Sequence, residues 1–164
     1  MNRALLLSCA LAMSSAAFGD PPQVHVEPPH LQGPLTLAQQ TETAAIRDYL
    51  ESWKSLQTAF DQNQAALLDA DFVGTAHDKL TSAIDEQAKL GIHTRYQDRA
   101  HNVQIVFYSP DGLSIQLLDT VDYDAQILKG SAVLTSQHVR RRYVVVLTPT
   151  QVRWAVRIFQ EEPQ

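Results

Sequence analysis

Residues 113–128, LSIQLLDTVDYDAQIL, have apolar side chains at the odd positions, with one exception, and mostly polar side chains at the even positions. A repeat of two is the period of a half-buried β-strand, because successive side chains of a strand point to opposite faces. One residue, Asp119, interrupts the apolar face. A carboxylate on the buried side of a strand is costly unless it has a partner. The partner of Asp119 is therefore the first structural question that this strand raises.

Length and composition favour one globular domain. The chain has 164 residues, of which 45% are hydrophobic and 19% are charged. Domains usually have about 100 to 150 residues, so this chain is long enough for one continuous core. The composition is typical neither of disorder nor of a multispanning membrane protein.

Residues 1–19 have the pattern of a cleaved signal peptide. A basic residue, Arg3, precedes an apolar run, and small residues lie at Ala17 and Gly19. The run is shorter than the roughly 20 residues that span a bilayer, so no transmembrane anchor is expected after cleavage. We expect an exported protein, periplasmic or secreted, with lipidation of Cys9 as an alternative.

The cysteine content limits the chemistry of the mature chain. Cys9 is the single cysteine of the sequence, and it lies within the predicted signal peptide. Cleavage after Gly19 would leave no thiol for a disulfide, a zinc-thiolate site or a nucleophile. This pattern suits a bacterial envelope protein. We predict no cofactor and no metal site.

The charge of the mature chain disfavours nucleic acid as a partner. Without Arg3 it has 12 basic and 18 acidic residues, a net charge of −6. Nucleic-acid binding needs a basic surface, and only residues 140–142 form a basic run. We expect an unknown protein or a small apolar or acidic ligand as partner, with a homodimer through the sheet as a further possibility.

Residues 20–35 contain five prolines and no sustained period, which predicts an extended linker before a domain at 36–160 and a tail at 161–164. Thr36 and Gln39 match a capping box at the start of a long helix. That helix has an apolar stripe that includes Tyr49 and Trp53. A short second helix at 65–71 and a third helix ending before Gly91 complete the predicted helical part.

From residue 92 onward the apolar period changes to two, which predicts a meander of four to five antiparallel strands. A glycine-containing turn at 110–112 places Val103 opposite Asp119. A three-residue loop at 129–131 places Asp119 opposite Arg141, and a two-residue turn places Trp154 opposite Val145. Helices followed by strands indicate an α+β fold, with three helices packed on the sheet.

Four short segments resemble a known family: YLESWKS around Trp53, AKLGIHTRY ending in Tyr96, YSPDG, and RWAVRIF around Trp154. The layout is similar to the nuclear-transport-factor-two-like superfamily, most of all to the intermembrane-space domain of plastid division proteins and their bacterial relatives. The resemblance covers about residues 37–159. It implies a cystatin-like cone with a curved sheet around a pocket, and a non-enzymatic binding or scaffold role.

The two charges predicted to face each other, Asp119 and Arg141, suggest an ion pair in or beside that pocket. The pair either fixes strand register or anchors a polar ligand. In the second case the ligand-binding candidates are Asp119, Arg141, Tyr143, Tyr123 and Tyr49.

The sequence indicates no catalytic residue, although the wider superfamily includes isomerases, dehydratases and polyketide cyclases. We expect a binding module of the cell envelope and leave two alternatives open: a small lyase or isomerase that uses Asp119, and a purely structural scaffold. The remaining histidines, among them His101 and His138, are interpreted as surface or edge residues. Arg140, Arg142, Arg153 and Arg157 are expected to form a basic stripe on the outer face of the sheet.

Overall fold

A computed structural model describes residues 20–32 and 35–162. The predicted signal peptide and its cysteine lie outside the described residues. Two α-helices, α1 (Gln39–Gln62) and α2 (Gly74–Lys89), are separated by a 3-10 turn at Ala65–Leu68. They pack on five strands: β1 (Gln23–Val26), β2 (His93–Tyr108), β3 (Ile115–Lys129), β4 (Ala132–Pro149) and β5 (Trp154–Glu161).

The strands form one sheet in the order β1-β2-β3-β4-β5. Strands β2 to β5 are the predicted antiparallel meander, whereas β1 runs parallel to β2. The α+β class is confirmed. Two details differ from the prediction: the short second helix is a single 3-10 turn, and the sheet is mixed because of β1.

Strand β1 lies inside the segment predicted to be a linker. Val24 is the neighbour of His101 and Val26 is the neighbour of Val103, so β1 extends the sheet by one edge strand. Beyond β1, the N–H of Glu27 also donates to the carbonyl of Val103, at 2.9 Å. Prolines are tolerated beside an edge strand because its outer N–H groups need no ladder partner. The prediction of an unpaired linker is therefore wrong for Gln23–Val26.

The helix ends agree with the sequence in one case and differ in another. The capping box predicted at Thr36 is absent: α1 begins after Ala38, which makes no side-chain cap. Gly91 does follow α2, and its φ of +66° is the left-handed conformation that glycine adopts without steric cost. Its N–H donates to the carbonyl of Ala88, at 3.0 Å, and so closes the helix.

The predicted register between β2 and β3 is confirmed for Val103, which lies opposite Asp119, and for Ile105, which lies opposite Leu117. Beside the turn it is wrong by one residue, because an irregularity between Ile105 and Phe107 places Phe107 opposite Gln116 instead of Ile115. The register between β3 and β4 is wrong. Asp119 lies opposite Tyr143, and Arg141 lies opposite Val121. The turn at Gly130 has two residues instead of three, and a β-bulge after Ile127 adds one more residue to β4. Together they shift the pairing by two positions, which preserves the buried face.

Between β4 and β5 the sequence also predicted the wrong register. Trp154 lies opposite Pro149 instead of Val145, and Phe159 occupies the place opposite Val145. The connection is longer than two residues, and the hydroxyl of Thr150 accepts from the N–H of Arg153, at 3.2 Å, within it. A bulge in this strand pair then shifts the pairing of β5 against β4.

The core lies between the apolar stripe of α1 and the inner face of the sheet. Its centre is Trp53, which is buried, as the sequence predicted. The indole packs edge-on against the rings of His101, Tyr143 and Phe159. It packs at a tilt against Tyr123, and all four ring centroids lie 5.3 to 6.2 Å from that of the indole. Aromatic pairs at these distances and angles are favourable. They fix α1 against the sheet directly beside Asp119.

Candidate functional site

The buried partner of Asp119 is a histidine, not an arginine. Oδ2 of Asp119 lies 2.7 Å from Nδ1 of His101, and it also accepts a hydrogen bond of 2.8 Å from the Tyr49 hydroxyl. Asp119 and His101 are 0% and 2% exposed. Tyr49 comes from α1, His101 from β2 and Asp119 from β3, so the contact joins the helix to two strands.

A second carboxylate completes this arrangement. Nε2 of His101 lies 3.3 Å from Oδ2 of Asp98, which is three residues earlier on the same strand, across a β-bulge. We call the four residues Tyr49, Asp98, His101 and Asp119 the His101 cluster. One carboxylate oxygen of Asp98 and one of Asp119 are buried and have no hydrogen-bond partner among the described residues.

The cluster changes the proton affinity of its members. Burial opposes protonation of His101, but the hydrogen bonds from the ring to Asp119 and Asp98 outweigh it and raise the pKa of His101 to about 9. Burial, reinforced by the negative charge of Asp119, raises the pKa of the Tyr49 hydroxyl well above its usual range. At neutral pH the cluster therefore holds an imidazolium between two carboxylates and a neutral tyrosine.

The predicted ion pair between Asp119 and Arg141 is absent. Nε of Arg141 lies 2.7 Å from Oε1 of Glu161 on β5, and the arginine side chain is partly exposed. The register shift of two positions explains this difference, since it moves Arg141 one inward position away from Asp119. Arg141 and Glu161 thus form an ion pair at the surface between β4 and β5.

The five predicted ligand-binding residues fall into three places. Asp119 and Tyr49 belong to the His101 cluster. Tyr123 and Tyr143 lie beside Trp53, with their hydroxyl oxygens 3.2 Å apart. Arg141 lies apart from both groups, on Glu161. The structure thus brings the four acidic and aromatic side chains into the core around Trp53 and leaves the arginine at the rim.

The sequence did not identify His101 as a buried residue, so its interpretation as a surface or edge residue is wrong. A signal was present in the pattern HNVQIVF, in which His101 precedes Val103 and Ile105 at the strand period. The histidine therefore belongs to the same inner face. With Val103 opposite Asp119, His101 is diagonal to that carboxylate, within reach of a side-chain contact.

A groove opens beside the cluster, between α1 and the β1–β2 edge of the sheet. Its volume is about 1180 Å³. We call it the α1–β2 groove. Ile46 and Leu50 of α1 line one wall, while apolar β1 side chains and Tyr96 line the other, and Asp98 and His101 reach its floor. The side chains of Val24 and Val26 share the inner face with their β2 neighbours and are partly exposed in this groove.

The charges around the groove are unevenly satisfied. The three basic side chains on its rim already contact carboxylates: Arg47 with Asp48, Lys54 with Glu51, and Arg95 with Asp61, at 2.8, 2.7 and 3.3 Å. Burial raises the pKa of the Tyr96 hydroxyl to about 12, so this groove residue is neutral. At the floor, the His101 cluster carries two carboxylates for one imidazolium. The floor of the groove therefore has more carboxylates than cations, and the rim cations already have partners.

The basic stripe predicted on the outer face is not continuous. Arg153 reaches the buried carboxylate of Asp71, which also accepts a hydrogen bond from Ser55 of α1. These contacts tie the start of β5 to the helical layer. Nε of Arg142 lies 3.2 Å from Glu162. These two arginines therefore have local structural partners.

None of the helices in the described ranges is long and apolar enough to cross a membrane. Within the same ranges, no group of three or more histidine, cysteine, aspartate or glutamate side chains is arranged to hold a metal ion.

Comparison with solved structures identifies the fold. The intermembrane-space region of the chloroplast protein ARC6 superposes with a TM-score of 0.64 and 16% sequence identity, over 80% of this chain and 100% of that chain. A putative scytalone dehydratase from Novosphingobium aromaticivorans superposes with a TM-score of 0.54 and 13% identity, over 77% of this chain and 89% of that chain. No family model matches the chain, and no curated protein matches it.

At these identities the likeness concerns the fold alone, and function has to be argued from the site. The predicted resemblance is confirmed at the level of architecture, because both similar structures cover most of the chain. The chain has the nuclear-transport-factor-two-like cone fold.

Proposed function

We propose that this chain is an exported, non-catalytic binding module that holds an elongated apolar ligand in the α1–β2 groove. The observation that carries the proposal is the groove itself, an opening of about 1180 Å³ with an apolar wall from each layer of the fold. Small-molecule sites are typically concave and mostly apolar, with a few polar groups that orient the ligand. The likeness to an intermembrane-space region and the signal-peptide pattern support export.

The interior of the cone offers less support for a binding site. Trp53 and its aromatic neighbours fill the space between α1 and β3–β4, including the tyrosines that the sequence suggested as pocket residues. A ligand there would have to displace close-packed rings, at a cost similar to that of opening a core. The groove needs no such rearrangement.

The polar end of the ligand follows from the charges at the floor of the groove. The rim cations already contact carboxylates, whereas Asp98 and Asp119 at the floor have only the His101 ring between them. Two carboxylates share one imidazolium in the His101 cluster. A donor or cationic head group is therefore favoured at the floor, and a carboxylate head group is repelled. Our proposal replaces the acidic ligand expected from the sequence with a hydrogen-bond donor.

A head-group series tests this proposal. Isothermal titration at neutral pH would compare n-octylamine, n-octanol and n-octanoate, which share one apolar chain. We expect the amine to bind most tightly and the carboxylate most weakly. Asp98→Asn should remove the preference for the amine, and Leu50→Glu should weaken all three ligands by placing a charge on the apolar wall. Val152→Glu, at an exposed valine of the β4–β5 turn, is the matched control.

A second candidate, an acid–base lyase or isomerase, is suggested by the presence of His101 and Asp98 at the groove floor. Asp119, the residue that the sequence suggests for this role, is fully buried and reaches the groove only through the imidazole. Both ring nitrogens of His101 already face carboxylates, so a substrate would have to displace Asp98. Incubation with scytalone, followed by absorbance for loss of water, tests this candidate directly. Turnover that is lost in His101→Gln would favour it over the binding module.

If the titrations and the scytalone assay are both negative, the remaining alternative is a structural scaffold. The filled aromatic core and the buried His101 cluster are compatible with that role as well. Binding of the amine with the predicted head-group order would exclude a purely structural domain.

A further inference from the structure

The α1–β2 groove follows α1 for most of the length of the helix. Its helical wall extends from Glu42 to Gln62. At a rise of about 1.5 Å per residue, this wall is about 30 Å long. The alkyl chain of the proposed ligand occupies only the part beside Ile46 and Leu50. The rest of the groove is therefore available to a second portion of the same ligand.

The His101 cluster separates the groove into two parts. The centroid of the Trp53 ring lies 5.3 Å from that of His101, and Tyr49 donates to Asp119, so the floor lies beside residues 49–53 of α1. Strand β1 pairs with β2 from Ala100 onward and borders the groove on one side of the floor. We call this side, with Ile46 and Leu50 on the helix, the apolar half.

The other side of the floor is formed by the last turns of α1 and the first part of β2. Nε of Arg95 and Nδ1 of His93 lie 3.3 and 3.0 Å from Oδ1 of Asp61, which holds these two segments together. We call this side, lined by residues 54–62 of α1 and 95–97 of β2, the polar half. The two halves differ in chemistry as well as in position.

The charges of the polar half already have partners. Lys54 contacts Glu51, at 2.7 Å, and Asp61 has both Arg95 and His93. The hydroxyl of Thr58 donates to the carbonyl of Lys54. An ionic group of a ligand would therefore find no unpaired counter-charge among these described residues.

Three amide side chains line the polar half: Gln57, Gln62 and Gln97. Within residues 20–32 and 35–162, none of them forms a side-chain hydrogen bond of the kind that Gln87 makes. The Gln87 amide nitrogen donates to Phe60 and Asn63, and its oxygen accepts from Thr94. A glutamine that supports the fold thus uses both ends of its amide. The three groove glutamines keep both ends available to a ligand.

We infer that the polar half binds an uncharged, hydroxyl-rich extension of the ligand, whose ammonium group lies at the floor and whose alkyl chain lies in the apolar half. An amide has donors and an acceptor side by side, and a hydroxyl group is both donor and acceptor, so the two are complementary. The ligand class is an alkylated amino polyol. This inference rests on the proposed function, which places the amine and the chain.

An extended peptide fits this half less well than a polyol. A peptide in this position would add to the adjacent edge of β2. That edge has an irregularity between Asp98 and Ala100, and Arg95 and Arg99 lie along it. Bulges and charged side chains oppose the addition of a strand. A polyol needs only the side-chain amides.

Two secondary amines with one alkyl chain test the polar half. Isothermal titration at neutral pH would compare N-methyl-n-octylamine with N-octyl-D-glucamine, which differ in the polyol. We expect the glucamine to bind about fivefold to tenfold more tightly, because each neutral hydrogen bond adds a modest contribution.

The double variant Gln57→Leu with Gln97→Leu removes two amides and keeps side chains of similar size. It should reduce the ratio of the two affinities to about twofold or less, and each single variant should reduce it partly. Gln151→Leu, at an exposed glutamine of the β4–β5 turn, is the matched control and should keep the wild-type ratio. Melting curves followed by circular dichroism show whether each variant is folded.

Equal affinities of the two amines for the wild type would overturn this inference and leave the proposed groove standing. So would a wild-type ratio in the double variant and in both single variants. If neither amine binds, the proposed function fails, and N-methyl-D-glucamine at millimolar concentration tests the polar half alone. Shifts of the side-chain amide resonances of Gln57, Gln62 and Gln97 would then support the inference, and unchanged resonances would overturn it.

Discussion

Nδ1 of His101 and Oδ2 of Asp119 lie 2.7 Å apart, and both side chains are almost completely buried. This contact resolves the anomaly of a carboxylate on an apolar strand face. The imidazolium neutralises Asp119, and Tyr49 adds a hydrogen bond from the helical layer. Buried ion pairs of this kind hold elements in one arrangement, since loss of either partner leaves an uncompensated charge.

Stability should depend on pH through His101. Its pKa rises from 6.5 to about 9 in the folded state, so the stabilisation is complete below about pH 6.5 and is lost as the pH rises through about 9. Between about pH 6 and pH 10 the free energy of unfolding should decrease by about 3 kcal/mol. Urea unfolding across this range measures it.

The variant His101→Gln removes the titrating group and should flatten this pH dependence. His138→Gln, at an exposed histidine on the outer face, is the control and should keep the wild-type slope. An equal slope in His101→Gln and the wild type would contradict a protonated His101.

The Tyr49 hydroxyl should contribute more to stability than the Tyr143 hydroxyl. Tyr49 donates to a buried carboxylate, whereas Tyr143 shares a neutral contact of 3.2 Å with Tyr123. Hydrogen bonds to charged groups are worth about 1.5–3 kcal/mol, and neutral ones about 0.5–1.5 kcal/mol. Denaturant unfolding should therefore rank Tyr49→Phe below Tyr143→Phe in stability. The reverse order would show that Asp119 does not depend on this donor.

The middle of the β2–β3 pairing followed from the sequence because the alternation there is strict, whereas an irregularity between Ile105 and Phe107 shifts the pairing beside the turn by one residue. Val103 lies opposite Asp119 as predicted. Beyond Ile127, a β-bulge and a shorter turn shifted the register. The Gly130-Ser131 pair is typical of a two-residue turn, so the turn was identifiable, whereas the bulge has no residue signature. The shift of two positions kept the correct face but replaced Arg141 with Tyr143 beside Asp119.

The candidate site was harder to predict because it depends on contacts distant in sequence. Strand β1 lies in a proline-rich segment, and its pairing with β2 is visible only in three dimensions. His101 was identifiable by its strand period, but its second carboxylate, Asp98, lies across a bulge. The α1–β2 groove requires β1, so a sequence interpretation that treats this segment as a linker loses one wall of the groove.

Arg153, directly before β5, should stabilise the fold, whereas Arg157 within β5 should not. Arg153 pairs with the buried Asp71, which is held by Ser55 of α1. We expect Arg153→Ala to lower the free energy of unfolding by about 1–2 kcal/mol, because Asp71 would lose its cation. Arg157→Ala should change it by less than about 0.5 kcal/mol. Chemical unfolding of both variants measures these two changes. Equal decreases in the free energy of unfolding would contradict a specific ion pair between Arg153 and Asp71.

Export predicts the mass of the mature protein. After expression of the full chain with its leader, the intact mass should correspond to a protein that begins at Asp20. Cys9→Ser should leave the mass and the fractionation unchanged, because Cys9 is removed with the signal peptide. A lipid-modified mass that disappears in Cys9→Ser would instead support lipidation, and an unprocessed mass in the cytoplasmic fraction would contradict export.

The central claim, that the α1–β2 groove is the binding site, is tested most directly by mapping a ligand on the folded chain. Titration of the isotopically labelled protein with n-octylamine, followed by amide and methyl chemical shifts, locates the contact residue by residue. We predict the largest shifts at Leu50, Val24 and Tyr96, with the β3–β4 turn at Gly130 unaffected. Absence of saturable shifts, or shifts centred on the aromatic core around Trp53 instead of the groove, would contradict the account.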